Sequence, residues 1–209
     1  MGNWDQIYKD YKKGGEAWAT LSEGIIPEFK NLIENEQFEY KKALDIGCGT
    51  GKYLVYLKAQ GFEVAGIDSS ETAIIMSKEA TGQSDNIEEV DMYEFKIPKN
   101  KFDLIYSIST IHHGTKEQVF ELVNRIYGAL VDDGLAFITV PDLAKAIELN
   151  YLKDDKDLGG GVFAPTSGPE KGLPHSQYTE AEIERLFSKF TSVQKEIDEI
   201  GRWIIMAKK

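Results

Sequence analysis

Apolar stretches of strand length alternate with amphipathic stretches of helix length along most of this chain. Short, continuous apolar runs predict buried parallel strands, and they lie at residues 43–47, 63–68, 87–91, 102–108 and 135–140. A helical period of apolar residues predicts helices at 52–60, 70–80 and 116–130. Ser70 and Thr115 are suitable N-cap residues for two of them. This alternation indicates βα units around a parallel sheet.

The C-terminal part has a different pattern. A capped helix is predicted from Thr179 to about Phe190, followed by strands at 193–200 and 202–208 that Gly201 separates. We therefore predict an α/β fold with a Rossmann-like, doubly wound sheet of seven strands. The sheet should be mostly parallel and should end in an antiparallel hairpin.

Two segments fall outside this repeating unit. We expect one domain over residues 1–209, with an N-terminal helical segment over 1–38 and a lid-like insertion at about 143–178. Residues 14–35 are amphipathic and should form a helix that is broken near Gly24 and Pro27. Residues 154–178 contain five glycines and three prolines, too many for regular structure. Their apolar residues suggest a lid that packs only when it is closed.

Composition and charge narrow the possible partners. The chain of 209 residues is 42% apolar, and its 35 acidic and 24 basic residues give a net charge of −11. Such a charge repels phosphate backbones and anionic lipid, so we expect neither nucleic acid nor membrane as a partner. Cys48 is the only cysteine, and the N-terminal residues do not resemble a signal peptide. We expect a cytoplasmic monomer or homodimer.

The segment Gly47-Cys48-Gly49-Thr50-Gly51 follows the first predicted strand and precedes a helix. Glycines let a ligand approach the turn without meeting a Cβ atom, and the helix directs its free N–H groups at that ligand. In a dinucleotide-binding fingerprint the third glycine would come one residue later, where Lys52 stands. The spacing therefore argues against a nicotinamide-dependent oxidoreductase.

With an acidic residue at 45, this turn resembles motif I of the class I S-adenosylmethionine-dependent methyltransferases. The resemblance covers residues 40–142 and implies S-adenosylmethionine as the cofactor. It implies that Asp68 accepts the ribose hydroxyls, and that Asp91 and Met92 contact the adenine. We expect Asp45 to hold the turn by accepting backbone N–H bonds. The full set of predicted cofactor residues is Asp45, Gly47, Cys48, Gly49, Gly51, Asp68, Ser69, Asp91, Met92 and Ser107.

Candidates for acceptor chemistry are fewer. His113, or His112 beside it, follows the fourth strand and is the predicted catalytic residue, because imidazole titrates near neutrality. A histidine bonded to the loop backbone is the alternative. His175, at the end of the predicted lid, is a further candidate for acceptor chemistry. The alternative is that it only packs against its neighbours. The spacing of the three histidines predicts no metal site. The aromatic residues Trp4, Tyr8, Tyr11 and Trp18 are candidates to close over the cofactor.

These observations predict a methyltransferase that transfers a methyl group to a small-molecule acceptor by in-line displacement. The segment after the fourth strand, beginning at Ser107, lacks the Asn/Asp-Pro-Pro-Tyr motif of enzymes that methylate base amino groups. Two alternatives stay open, namely a methyltransferase that acts on a protein and a protein that binds S-adenosylmethionine without catalysis.

Overall fold

The computed structural model describes residues 4–14, 24–82 and 86–209. Its central sheet has seven strands, which are β1 (Lys42–Ile46), β2 (Glu63–Asp68), β3 (Ile87–Glu89), β4 (Phe102–Ser107), β5 (Leu130–Pro141), β9 (Ser192–Ile197) and β10 (Arg202–Lys208). The described helices are α1 (Trp4–Lys12), α2 (Pro27–Asn35), α3 (Lys52–Ala59), α4 (Glu71–Thr81), α5 (Lys116–Ala129), α6 (Leu143–Glu148) and α7 (Glu180–Leu186).

The strand order is β3-β2-β1-β4-β5-β10-β9. Strands β1 to β5 pair in parallel, and β10 pairs antiparallel with β5 on one side and β9 on the other. The chain leaves β1 in one direction along the sheet and later returns to the other side of β1 with β4. This reversal is the switch point at which doubly wound sheets bind ligands. The predicted fold class is confirmed.

Apolar side chains cover both faces of the sheet. One core cluster packs Leu44 and Ile46 against α5 and α7, and the other packs Ala43 against α2, α3 and α4. Alternate residues of β1 therefore face opposite layers, as a strand period of two requires. Burial on both faces explains why the parallel strands read as continuous apolar runs.

Side-chain caps fix where three helices begin. The Ser70 hydroxyl accepts from the backbone N–H of Ala73 at the start of α4. Thr115 and Thr179 each form a reciprocal capping box, with Gln118 and Glu182 respectively. These are the boundaries that the sequence predicts, because each cap satisfies N–H groups that the first turn leaves unpaired.

Residues 154–178 are more regular than the sequence predicts. They contain β6 (Asp155–Gly159), β7 (Val162–Pro165) and β8 (His175–Ser176), which form a second, antiparallel sheet. The prediction of irregular structure was wrong because the breakers are concentrated in turns. The three glycines at 159–161 all have positive φ, and while Gly159 ends β6, Gly160 and Gly161 form the turn to β7.

The N-terminal segment contributes α1 and α2 to the described structure. Helix α2 begins at Pro27 and coincides with the second part of the helix predicted over 14–35. Residues 15–23, with Trp18 among them, lie outside the described residues. None of the helices in residues 4–14, 24–82 and 86–209 has the length and apolar character that a bilayer span requires.

Candidate active site

A cleft of about 1490 Å³ opens at the carboxyl ends of β1, β2 and β4. At one end it is lined by the glycine-rich turn after β1, by the residues that follow β2 and by Asp91 and Met92. At the other end lie the histidines that follow β4 and the segment that leads into β8. The fold therefore brings the predicted cofactor residues and the predicted acceptor residues to one continuous cleft.

The glycine-rich turn is held by β2. The N–H groups of Gly47 and Cys48 both donate to the Ile67 carbonyl, at 2.8 and 2.9 Å. The Gly49 N–H donates to Oδ2 of Asp68 at 3.0 Å, and the Ser70 N–H donates to Oδ1 at 3.0 Å. Asp68 thus fixes the turn and the start of α4 together, while one edge of its carboxylate lines the cleft.

Asp45 does not have the predicted role of holding the turn, because the turn's N–H bonds go to Ile67 and Asp68. Its carboxyl group is buried and lines the floor of the cleft. Burial, and secondarily the negative charge of Asp68, raises the pKa of Asp45 well above its usual value. Burial likewise raises the pKa of the Cys48 thiol, so this cysteine is not an activated nucleophile.

Eight of the ten predicted cofactor residues line the cleft, namely Asp45, Gly47, Cys48, Gly49, Asp68, Ser69, Asp91 and Met92. Gly51 and Ser107 do not line it. A Cβ atom at Gly51 would lie 2.6 Å from the Ser77 hydroxyl, so the glycine permits α3 to pack on α4. The Ser107 hydroxyl is fully buried and donates to the Ile46 carbonyl at 2.7 Å, joining β4 to β1. Gly51 and Ser107 therefore have structural roles, and their predicted contacts with the cofactor stay predictions.

Helix α1 crosses the cleft. Oδ1 of Asp5 accepts from the Ser70 hydroxyl at 3.1 Å and from the Thr72 N–H at 2.9 Å, at the positive end of α4. Hydrogen bonds from Lys9 and Thr72 hold the pKa of Asp5 well below its usual value. Tyr8 lies above the glycine-rich turn and lines the cleft with Trp4. The N-terminal segment is therefore docked on the predicted cofactor end.

The three histidines lie together at the other end. Ring centroids are 4.0 Å apart for His112 and His113 and 4.7 Å apart for His113 and His175. Nδ1 of His113 donates to the Thr110 carbonyl at 2.9 Å, since a carbonyl oxygen only accepts. Burial lowers the pKa of His112 well below its usual value, that of His113 to about 3 and that of His175 to about 4. All three rings are neutral at pH 7.

Because His175 is neutral, its contact with Glu170, 3.5 Å from Nε2 to Oε2, is not an ion pair at pH 7. A base that works near neutrality needs a pKa near the working pH. The lowered pKa of His113 therefore makes it a weak general base, although its position in the cleft is the predicted one.

Comparison with known proteins places this architecture in a family. A family described as methyltransferase domain matches residues 44–138, which span β1 to β5 and most of the cleft. Phosphoethanolamine N-methyltransferase of Plasmodium falciparum is 33% identical over 128 residues, 60% of this chain and 48% of its own. Demethylmenaquinone methyltransferase of Staphylococcus aureus is 31% identical over 164 residues, 71% of this chain and 66% of its own.

Residues 44–138 of this chain are a methyltransferase domain, and the comparisons support a class I S-adenosylmethionine-dependent methyltransferase. The predicted family and its cofactor, S-adenosylmethionine, are thereby confirmed. The chain spans between 48% and 59% of the length of four curated relatives that it matches.

Solved structures of methyltransferases share the fold. The 1,6-didemethyltoxoflavin-N1-methyltransferase of Burkholderia thailandensis, solved with 1,6-didemethyltoxoflavin and S-adenosylhomocysteine, has a TM-score of 0.68. It is 17% identical, over 98% of this chain and 85% of its own. The likeness shows that the two proteins share an overall fold over nearly the whole of this chain.

Sequence reasoning missed several residues of the methyltransferase cleft. Asp5 tethers α1, and Thr110 lies directly over Gly47. Arg202 lines the cleft, where its side chain donates to Asp198 and to the Ser109 hydroxyl. None of these residues stands in a local motif, so no sequence signal distinguishes them from surface or packing residues.

Proposed function

We propose that this protein is an S-adenosylmethionine-dependent methyltransferase that transfers the methyl group to a small-molecule acceptor by in-line displacement. The size and continuity of the cleft support this best. A cleft of about 1490 Å³ exceeds the roughly 300–1000 Å³ of an ordinary ligand pocket. It therefore has room for a cofactor beside the glycine-rich turn and for an acceptor beside the histidines.

The residues at the cofactor end of the cleft suit the binding of S-adenosylmethionine. The two oxygens of Asp68 accept the N–H bonds of Gly49 and Ser70, and a carboxylate oxygen has further acceptor capacity for the two hydroxyls of a ribose. Ser69 is exposed beside it. Gly47, Cys48 and Gly49 would lie along the methionine part of the cofactor. Asp91 and Met92 would receive the adenine. When bound, S-adenosylmethionine supplies an electrophilic methyl group on a sulfonium.

The chain's contribution to the transfer is positioning. In-line displacement requires the nucleophile, the methyl carbon and the leaving sulfur to be aligned, and holding them so lowers the entropic cost of the step. Helix α1 and the segment that leads into β8 both line the cleft and would exclude water from the parts of it that they cover. An acceptor that has to enter this cleft between α1 and the segment before β8 is more easily a small molecule than a folded protein.

Transfer of the labelled methyl group tests the proposal. The protein is incubated with methyl-labelled S-adenosylmethionine and either a panel of metabolites or an undigested protein extract. We expect label in a small-molecule fraction, and no transfer by Gly49→Val, which puts a branched side chain into the glycine-rich turn. Label found only in protein would show that the acceptor is a protein and not a small molecule. Tight cofactor binding with no transfer to either pool would favour the non-catalytic alternative.

A further inference from the structure

The three histidines are all the histidines of this chain, and the fold brings them to one point. One nitrogen atom from each of His112, His113 and His175 lies within 4.8 Å of the other two. We propose that these residues form a binding site for a divalent transition metal ion of the zinc type, at the acceptor end of the cleft. The site goes beyond the proposed methyl transfer and does not depend on it.

The protein builds this cluster through backbone contacts between distant segments. The Ser176 N–H donates to the His112 carbonyl at 2.8 Å, and its hydroxyl donates to the Gly114 carbonyl at 2.6 Å. Ser176 is fully buried. These bonds hold β8, and with it His175, against the loop after β4. The histidines are thus positioned by rigid neighbours, which a metal site of defined geometry requires.

The protonation pattern of His113 is that of a metal ligand. Because its Nδ1–H donates to the Thr110 carbonyl, the lone pair is on Nε2, on the other side of the ring. Histidines that bind metals commonly donate their second ring nitrogen to a carbonyl or carboxylate in this way, which fixes both ring orientation and tautomer.

The other two histidines leave buried nitrogen atoms without hydrogen bonds. Nδ1 of His112 and Nε2 of His175 are inaccessible to solvent and make no hydrogen bond with any described residue. A buried polar atom in this condition costs free energy. A cation bound through these two nitrogens would satisfy both at once, and neutral imidazole is the form that binds it.

The distances between the histidine nitrogens would suit zinc after the three rings move slightly closer together. Zinc–nitrogen bonds of about 2.0–2.1 Å in a tetrahedral site place ligand nitrogens about 3.3–3.4 Å apart. The ligand nitrogens now lie within 4.8 Å of one another, so they would have to approach by roughly 1.5 Å at most. Three imidazole ligands favour zinc, copper, iron or nickel over magnesium or calcium, which prefer oxygen.

Three protein ligands leave a fourth position for an oxygen or sulfur atom. Oε2 of Glu170 lies 3.5 Å from Nε2 of His175 and is one candidate. A hydroxyl or thiol acceptor is another, and this consequence rests on the proposed function. On coordination the acceptor would lose its proton to solvent. Its lone pair would attack the methyl carbon as the carbon–sulfur bond breaks, releasing S-adenosylhomocysteine.

Metal binding is tested on full-length, tag-free protein, because a histidine tag would compete. The chelator-treated protein is titrated with Co²⁺ in the absence of cofactor and acceptor, and Zn²⁺ is then added in competition. We expect one Co²⁺ per chain, visible d–d bands of a four- or five-coordinate site, and loss of these bands on addition of Zn²⁺. Absence of the bands would overturn the proposal.

Variants locate the site. His113→Ala and His175→Ala should each weaken binding by more than the roughly 10–100-fold that loss of a supporting partner costs. Glu117→Gln, which removes an exposed carboxylate that is not part of the cluster, should retain the bands. Circular dichroism checks that each variant is folded, and His113→Asn and His175→Asn replace any alanine variant that is not. Unchanged Co²⁺ binding in folded histidine variants would contradict the proposal.

The outcomes of this experiment and of the methyl-transfer assay are separable. Metal binding is measured without S-adenosylmethionine, so a failure here leaves the proposed methyl transfer intact. A failure of methyl transfer to any acceptor, with the Co²⁺ bands present, would overturn the proposed function and leave the metal site standing.

Discussion

Trp4, at the start of α1, packs against His113, with ring centroids 4.6 Å apart and ring planes inclined by 60°. Through this contact α1 reaches the acceptor end of the cleft, while Asp5 of the same helix is bonded at the start of α4 beside the predicted cofactor end. One short helix thus touches both halves of the candidate site. It is placed to couple the binding of cofactor to the closing of the cleft.

Replacing Trp4 with alanine should therefore weaken ligand binding. An aromatic pair contributes about 0.5–1.5 kcal/mol beyond its buried area, so we expect S-adenosylhomocysteine to bind roughly 2- to 10-fold more weakly by calorimetry. Gln6→Ala is the matched control, because Gln6 is on the same helix and is exposed. Equal affinities in the two variants would show that α1 docking does not support binding.

The ribose role of Asp68 is tested by Asp68→Asn. Loss of hydrogen bonds to a charged group should cost about 1.5–3 kcal/mol of cofactor binding. The melting temperature should fall as well, because the two oxygens of Asp68 accept from Gly49 and Ser70. Glu71→Gln removes the same charge from an exposed position nearby and should bind normally. An Asp68→Asn protein that bound like the parent would exclude the ribose contact.

The packing of Tyr8 on the glycine-rich turn is tested by comparing two glycines. Gly49 and Gly61 both have positive φ, 52° and 84°. A Cβ atom at Gly49 would lie 2.7 Å from the Tyr8 hydroxyl oxygen, whereas one at Gly61 would meet nothing within 4 Å. Both alanine variants pay the backbone cost of roughly 1–2 kcal/mol, so we expect Gly49→Ala to lower the free energy of unfolding further than Gly61→Ala does.

Removing the Tyr8 hydroxyl should relieve that extra cost. The next ring atom, Cζ, would be 3.6 Å from the new Cβ, an ordinary contact distance. Tyr8→Phe should therefore recover part of the stability of Gly49→Ala and none of that of Gly61→Ala. Denaturant unfolding of the four proteins measures this directly. The same effect of Tyr8→Phe in both backgrounds would mean that Tyr8 does not pack on the turn.

Hydrogen exchange should divide the predicted lid into two parts. The N–H groups of Ser176, Gln177 and Tyr178 donate to backbone carbonyls of His112, Gly161 and Pro141, so they should exchange slowly with or without ligand. In the hairpin, β6 is largely exposed and β7 is mostly half-buried, so β6 should exchange fast in the free protein. Slower exchange in the hairpin after addition of S-adenosylhomocysteine would support a lid. Fast exchange throughout 155–178 would contradict the hydrogen bonds that hold residues 176–178.

Most of the fold could be predicted because local and global signals agree in it. Continuous apolar runs mark β1, β2 and β4 as strands buried on both faces, and Ser70 and Thr115 cap the helices that follow. The cofactor end of the site could be predicted from the spacing of Gly47, Gly49 and Asp68 for a similar reason. These residues follow strand ends, and the strand ends of a doubly wound sheet meet at one edge.

The rest of the site depends on contacts between distant parts of the chain. Asp5 and Ser70 are 65 positions apart and form a hydrogen bond, for which no motif exists. The histidines have no metal-ligand spacing, yet β8 brings His175 to His112 and His113. Ser107 occupied a plausible position in a motif, but its hydroxyl is used between β1 and β4. Gly159 ends β6, and Gly160 and Gly161 form a hairpin turn, where the sequence predicts irregular structure.

The most direct measurement for the central claim is calorimetric titration of the protein with S-adenosylmethionine, S-adenosylhomocysteine and NAD. The glycine spacing, Asp68 and the lining of the cleft predict that each sulfur compound binds at one site per chain and that NAD gives no heat of binding. Binding of NAD, with no binding of either sulfur compound, would contradict the account.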